Sequence, residues 1–270
     1  MSSLPRTDEV LQLIVPVYNE HENLPRLLEE VERDIPQPFR LMVVYDFEED
    51  TTVPVARERA AARPWLSLVH NTLGRGPANA IRAGFQAAAT GPALVVMADL
   101  SDDLARVPEM LRLYREGNRV VCASRYMKGG RQIGGPLIKR TLSRWAGLSL
   151  YYLAGLPTHD ATNNFRLYDA ALVNEMGIES ERGFEIALEL TAKAFARGER
   201  IAETPATWRD RTTGESRFQL RKWLPLYLKW WWYAMKAGWN PTRPRSSATT
   251  EGFEQKATKD VLSSDVSPRA

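Results

Sequence analysis

The first 130 residues alternate short apolar runs with segments of helical spacing. Runs at 11–17, 41–45, 66–70, 93–97 and 119–123 read as buried strands. Between the first two, residues 22–34 place Leu24, Leu27, Leu28 and Val31 on one helical face. Helices are also predicted over 53–62, over the alanine-rich 78–89 and over 104–116. Alternating strands and helices imply an α/β fold, a mostly parallel sheet with helices on both faces. In such sheets ligands bind beyond the carboxyl ends of the strands. Those ends carry Glu20, Asp46, Asn71, Asp99 and Arg125, which makes them candidate site residues.

The second half is less regular. One long helix is expected over 136–153, a short strand over 165–168, an amphipathic helix over 184–196 and a strand over 200–208. Glu185 and Glu189 then read as solvated helix residues, with a role beside an acceptor as the alternative. A basic, aromatic segment follows, and then a polar tail whose Ser, Thr, Pro and charges suggest disorder. This divides the chain into an N-terminal extension (1–10), a main α/β domain (11–218), a basic aromatic helix (219–240) and a tail (241–270).

Composition changes this picture little. Net charge is only +3, and the lone cysteine, Cys122, excludes an internal disulfide or a cysteine metal site. Residues 1–11 lack a signal-peptide pattern, and no apolar run is long enough to span a bilayer. The expected compartment is therefore the cytoplasm.

Charge distribution is more informative. Asp99, Asp102 and Asp103 follow a buried strand, and their carboxylates could hold Mg²⁺ or Mn²⁺ against substrate phosphates. Alternatively, Asp102 and Asp103 cap the next helix. Asp46 could bind a ribose or base, or simply belong to a turn. Gly74-Arg75-Gly76-Pro77 opens a helix whose N-terminus suits phosphate. Arg209, Arg211 and Arg217 flank Thr212-Thr213-Gly214-Glu215-Ser216, which is either a phosphate-recognition loop or a solvated basic loop. From Ser216 to Thr250 there is no Asp or Glu, while five of the eight tryptophans lie there among Lys and Arg. That mixture suits a helix lying in a membrane interface, or an aromatic helix packed on the domain. The acidic clusters at 46–50 and 99–103 argue against a nucleic-acid partner.

Together these pieces resemble the family 2 glycosyltransferases, and within them the dolichol-phosphate mannose synthase-like (polyprenyl-phosphate glycosyltransferase) group. The residues carrying the resemblance are Ile14-Val15-Pro16-Val17-Tyr18-Asn19-Glu20, Gly74-Arg75-Gly76-Pro77-Ala78, Ala98-Asp99-Leu100-Ser101, Ser124-Arg125-Tyr126, Leu142-Ser143-Arg144, Asp160 with Phe165-Arg166-Leu167-Tyr168, and Arg211, Gly214, Ser216 and Arg217. The resemblance implies a GT-A (Rossmann-like) fold and an inverting transfer of sugar from a UDP- or GDP-sugar to a polyprenyl or dolichyl phosphate. It places the enzyme peripherally on the cytoplasmic membrane face, alone or with an integral membrane partner. It implies that Pro16, Tyr18, Glu20, Val44, Asp46, Gly76 and Ala98 bind the nucleotide. Asp99, Ser101 and Asp102 would face a divalent metal, Mg²⁺ or Mn²⁺. Asp99, Arg125, Arg211 and Arg217 would act in catalysis, and Arg140, Arg144 and Ser216 would meet the acceptor phosphate.

Three departures from the family pattern stand out. Met97 replaces an aspartate, Tyr45-Asp46-Phe47-Glu48 stands for Asp-Asp-Gly-Ser, and Asn163-Asn164 replaces Ser-Gly. They leave open a soluble or glycan hydroxyl acceptor, with Asp160 or an acid of the 184–196 helix as base, and a non-catalytic nucleotide-binding relative.

Overall fold

The computed structural model describes residues 10–35, 38–181, 183–210 and 220–244, with residues 220–223 described by backbone alone. The alternation read from the sequence becomes β1 (Leu11–Pro16), α1 (Leu24–Asp34), β2 (Phe39–Tyr45), α2 (Thr52–Ala60), β3 (Leu66–His70), α3 (Pro77–Ala88), β4 (Pro92–Val95), α4 (Val107–Arg115) and β5 (Val120–Ser124). Proline in the first turn of α1, α3 and α4 fits there because those amides have no helical partner.

The seven-stranded sheet has the order β3-β2-β1-β4-β7-β5-β8, where β7 is Arg166–Asp169 and β8 is Ile201–Pro205. Six strands run one way. β7 runs antiparallel between β4 and β5, with Leu94 opposite Leu167 and Val121 opposite Leu167. Leu13, Val15 and Val43 face α1, α2 and α4, while Ile14, Met42 and Val44 face α3 on the other side. Both layers are apolar, as expected for strands covered on both faces.

The second half departs from expectation in several places. The helix expected over 136–153 is α5 (Leu137–Ser149), continued by a π-helical turn, Leu150–Ala154, that ends on the left-handed Gly155. The strand expected over 200–208 is two strands, β8 and β9 (Thr207–Arg209), and β9 pairs with a short polar strand, β6 (Arg131–Ile133), that has no apolar pattern to announce it. Helix α6 (Ala170–Met176) was not anticipated, although Asp169 accepts a hydrogen bond from the Leu172 amide at its start and Gly177 ends it. Helix α7 (Ile186–Ala196) is buried on every side rather than amphipathic: α8 (Leu220–Trp239) packs on the face that the sequence pattern leaves to solvent. Glu185 and Glu189 are accordingly buried, not solvated. Glu189 accepts the Glu179 and Ser180 amides and pairs with Lys193.

Gly147 sets how closely α5 approaches the loop carrying Asp160. A Cβ there would run into the His159 carbonyl oxygen. Gly147→Ala is therefore expected to destabilise by about 1–3 kcal/mol, despite its better helix propensity, because the backbone must shift. Urea unfolding measures this, and an unchanged or higher midpoint contradicts the close-packing account.

Candidate active site

The carboxyl ends of β1 to β5 do gather the polar residues singled out above. After β1, Asn19 takes a left-handed backbone conformation (φ 57°) and donates its amide to Asp50 at 3.1 Å. Asp50 also accepts the Thr52 amide at the start of α2, and the Glu20 amide donates to Thr52 Oγ1 at 2.8 Å. The sequence reading passed over Asp50 as one member of an acidic stretch. Its full burial against backbone amides makes it the anchor of the β1 loop. Tyr18 stands exposed on that loop, and Glu20 accepts from Asn23 Nδ2 at 2.7 Å. Pro16, Val44 and Ala98 have buried side chains, so only their backbones could meet a ligand.

Asp46 is more than a turn residue. Its carboxylate accepts from Asn71 Nδ2 at 2.6 Å and from the Gly76 amide at 2.8 Å. It thus ties the end of β2 to the loop before α3. The negative charge expected at that helix N-terminus is supplied by the protein itself.

Beyond β4 the chain makes a strained turn, with Leu100 at φ 60°. The Ser101 amide donates to Asp99 Oδ1 at 3.2 Å. Asp103 stands at the N-cap of a 3-10 turn, Leu104–Arg106, but neither its carboxylate nor that of Asp102 caps it. Asp102 Oδ2 accepts the Met97 amide at 2.8 Å, folding the loop back on the strand end, and Asp103 Oδ2 accepts the Thr207 amide at 3.0 Å, tying the loop to β9. Burial pushes the Asp102 carboxyl up to about 8; the Met97 hydrogen bond opposes this rise and the nearby Asp99 adds to it.

Arg125, at the end of β5, directs its guanidinium inward. Nε lies 2.6 Å from Asp160 Oδ2, and Nη2 lies 2.9 Å from Oδ1 and 3.0 Å from both Ser143 Oγ and Thr162 Oγ1. Burial alone would raise the Asp160 pKa, but the Arg125 charge and hydrogen bonds outweigh it and hold it below the usual carboxylate range. Asp160 is thus a fully buried, ionised partner.

Asp99, Asp102 and Arg125 border a cavity of about 210 Å³. Its other polar lining includes Lys139 and Arg140 of α5. Its apolar lining includes Leu142 and Trp145 of α5 and Leu224, Leu228 and Trp231 of α8, with Tyr227 beside them. Trp145 stacks on Trp231 at 5.4 Å, and Trp231 Nε1 donates to Ser149 Oγ, so α8 closes against α5. Arg144, the other acceptor-phosphate candidate on α5, is exposed and does not border the cavity. Arg211, Ser216 and Arg217 lie outside the described residues.

Compared with known proteins, the chain matches the profile described as Glycosyl transferase family 2 over residues 12–177. It is 32% identical to an undecaprenyl-phosphate mannosyltransferase of Micrococcus luteus, over 76% of this chain and 85% of that protein. The chain belongs to glycosyl transferase family 2. This family 2 glycosyltransferase is also 29% identical to a polyprenol monophosphomannose synthase of Mycolicibacterium smegmatis, over 76% of this chain and 79% of the relative. Among solved structures it is similar to glucosyl-3-phosphoglycerate synthase from Mycobacterium tuberculosis, in complex with Mn²⁺, UDP and glucosyl-3-phosphoglycerate. That likeness has a TM-score of 0.61 at 14% identity, covers 86% of this chain and 81% of the other, and supports the GT-A fold.

Removing one partner of a buried ion pair leaves the other charge uncompensated, at about 3–5 kcal/mol. Asp160→Asn is expected to cost that much by urea unfolding at neutral pH. A group whose folded pKa is depressed stabilises above its unfolded value, about 3.9, and loses that contribution as pH falls through the folded value. The difference between wild type and variant should therefore be constant from pH 7 to about 5 and shrink below pH 4. A difference that does not change on acidification would remove the ion pair from the account.

Proposed function

We propose that this glycosyltransferase moves a hexose from a nucleoside diphosphate sugar to the phosphate of a polyprenyl lipid at a membrane surface. The observation that carries the reading is a cavity lined both by carboxylates and cations and by apolar and tryptophan side chains. A lipid phosphate likewise joins a charged group to an apolar chain. The names of the bacterial relatives, which specify undecaprenyl phosphate and polyprenol monophosphomannose, support the same acceptor class.

The surface around the cavity continues the apolar character. Leu137, Ile138 and Trp145 on α5 and Leu228, Trp232 and Trp239 on α8 are exposed. Lys229 and Lys236 stand over the rings of Trp230 and Trp232 at 4.4 and 5.6 Å. No helix among the described residues is long and apolar enough to cross a membrane. A helix pair of this kind lies in the interface, with its aromatic rings at headgroup level and each lysine adding about 1 kcal/mol on an anionic surface. The sequence pattern pointed to α8 alone; α5 supplies a comparable share of the exposed apolar face.

An acceptor phosphate is anionic at neutral pH, so its oxygen can attack the anomeric carbon without a protein base, while the bond to the donor diphosphate breaks and the nucleoside diphosphate leaves. Catalysis then consists of positioning and charge stabilisation. Asp160 does not suit the role of base for a hydroxyl acceptor, because it is fully buried and its pairing with Arg125 lowers its proton affinity. Arg125 acts here chiefly by holding the cavity wall, and Arg140 and Lys139 border the side from which an acceptor phosphate would enter. Arg211, Ser216 and Arg217 belong to this reading through the family resemblance.

The residues present fit a divalent cation held by few protein ligands. Asp99 offers a hard carboxylate and Ser101 a hydroxyl, whereas the Met97 thioether does not suit Mg²⁺ or Mn²⁺, and among the described residues no three acidic, His or Cys side chains converge. One or two carboxylates with waters and substrate phosphates are sufficient for such ions. When bound, the cation would offset charge on the leaving diphosphate.

The test is transfer from labelled GDP- and UDP-hexoses to a short polyprenyl phosphate in detergent. Wild type should form glycolipid from one donor. Asp99→Asn should abolish transfer while leaving the circular dichroism spectrum unchanged, and normal turnover by that variant would rule out the assignment of Asp99.

A further inference from the structure

Phe47 occupies a position where the family pattern has glycine, and it takes no part in the buried core. It belongs to none of the three buried clusters and lies half-exposed on the loop between β2 and α2. The loop is nevertheless held on both sides of it. The Asp46 carboxylate is fixed to Asn71 and the Gly76 amide, Glu48 accepts from Tyr45 Oη at 2.8 Å and pairs with Arg57 at 2.7 Å, and the Phe47 carbonyl accepts the Asp50 amide. The mounted ring meets two other side chains. Tyr18 approaches it edge-on, with centroids 5.8 Å apart, and the Arg75 guanidinium stands 4.7 Å from its centroid. Arg75 is exposed and has no carboxylate partner among the described residues.

Resting on the donor reading above, we infer that Phe47 and Arg75, with Tyr18 at the corner, form a clamp for the base of the donor nucleotide. The three side chains come from the ends of β1 and β2 and the loop after β3, along the crevice where α/β sheets take ligands. Every base has a π face that stacks on an aromatic ring, and a guanidinium can cover that face or fork onto acceptor atoms at the base edge. A base stacked on Phe47 takes the face that Arg75 now covers, and the exposed arginine moves outward onto the base. The substitution of phenylalanine for glycine thus turns a turn position into a stacking surface, and Phe47 is a binding and specificity residue of this chain rather than of the family pattern.

Isothermal titration of GMP, UMP, GDP and UDP tests this, with a chelator present so that no metal contributes. Wild type is expected to prefer one base. Phe47→Leu should weaken that nucleotide about tenfold, Phe47→Trp should keep or tighten it, and Arg75→Ala should weaken it and reduce the preference between bases. Because stacking acts on the base, the Phe47→Leu loss should be the same for monophosphate and diphosphate. Phe47→Leu binding equal to wild type, or a loss confined to the diphosphates, overturns the clamp while leaving the donor reading intact. Wild-type protein that binds none of the four overturns the donor reading and the clamp with it.

Discussion

The site depends first on the buried pair of Arg125 and Asp160. Asp160 sits on the loop between the π-helical turn and β7, and Arg125 at the end of β5. The guanidinium also holds Ser143 of α5 and Thr162. Arg166, fully buried on β7, continues the network: it donates to the Asp160 carbonyl at 2.6 Å, to the Ala187 carbonyl at 2.9 Å, and to Thr191 of α7. Two buried arginines therefore fix α5, α7 and the 158–163 loop on the sheet. With α5 fixed, Trp145 can stack on Trp231 and α8 can add its apolar side chains to the cavity lining.

From that framework the chemistry divides by strand end. The β1 and β2 loops, pinned by Asp50 and Asp46, present side chains at the carboxyl ends of the strands, where the proposed function puts the nucleotide. The β4 turn presents Asp99. The wall built on Arg125 leads to α5 and α8 and their apolar side chains. Under the proposed function, charged donor and lipid acceptor would approach this site from different directions, as a transfer between a water-soluble nucleotide sugar and a lipid phosphate requires. Positioning is given by the buried polar network, while Tyr18, Arg75 and Arg140 are exposed and open to ligands under the proposed function.

Much of this was legible in the sequence, for physical reasons. Apolar runs long enough to cross a buried sheet announced β1 to β5, and their polar endings announced Glu20, Asp46, Asp99 and Arg125. The unread parts depend on tertiary contacts. β6 is three residues with a polar pattern and exists through its pairing with β9. The face of α7 that looked solvated is covered by α8, which burial of Glu189 and Lys193 as a pair makes tolerable. Asp102 and Asp103 carried a capping signal, yet their carboxylates accept amides of Met97 and Thr207, the second from 104 residues away. The Asp50 anchor was hidden in an acidic run because composition does not show which carboxylate faces backbone amides.

The central claim is that the cations and the apolar side chains lining the cavity serve one acceptor. The most direct measurement is the transfer rate to a series of acceptors sharing one phosphate and differing in isoprenoid length, compared with a sugar hydroxyl acceptor. The account predicts that kcat/KM rises with isoprenoid length until the apolar lining is covered, and that the hydroxyl acceptor is not used. Equal rates along the series, or better transfer to the hydroxyl, would contradict it.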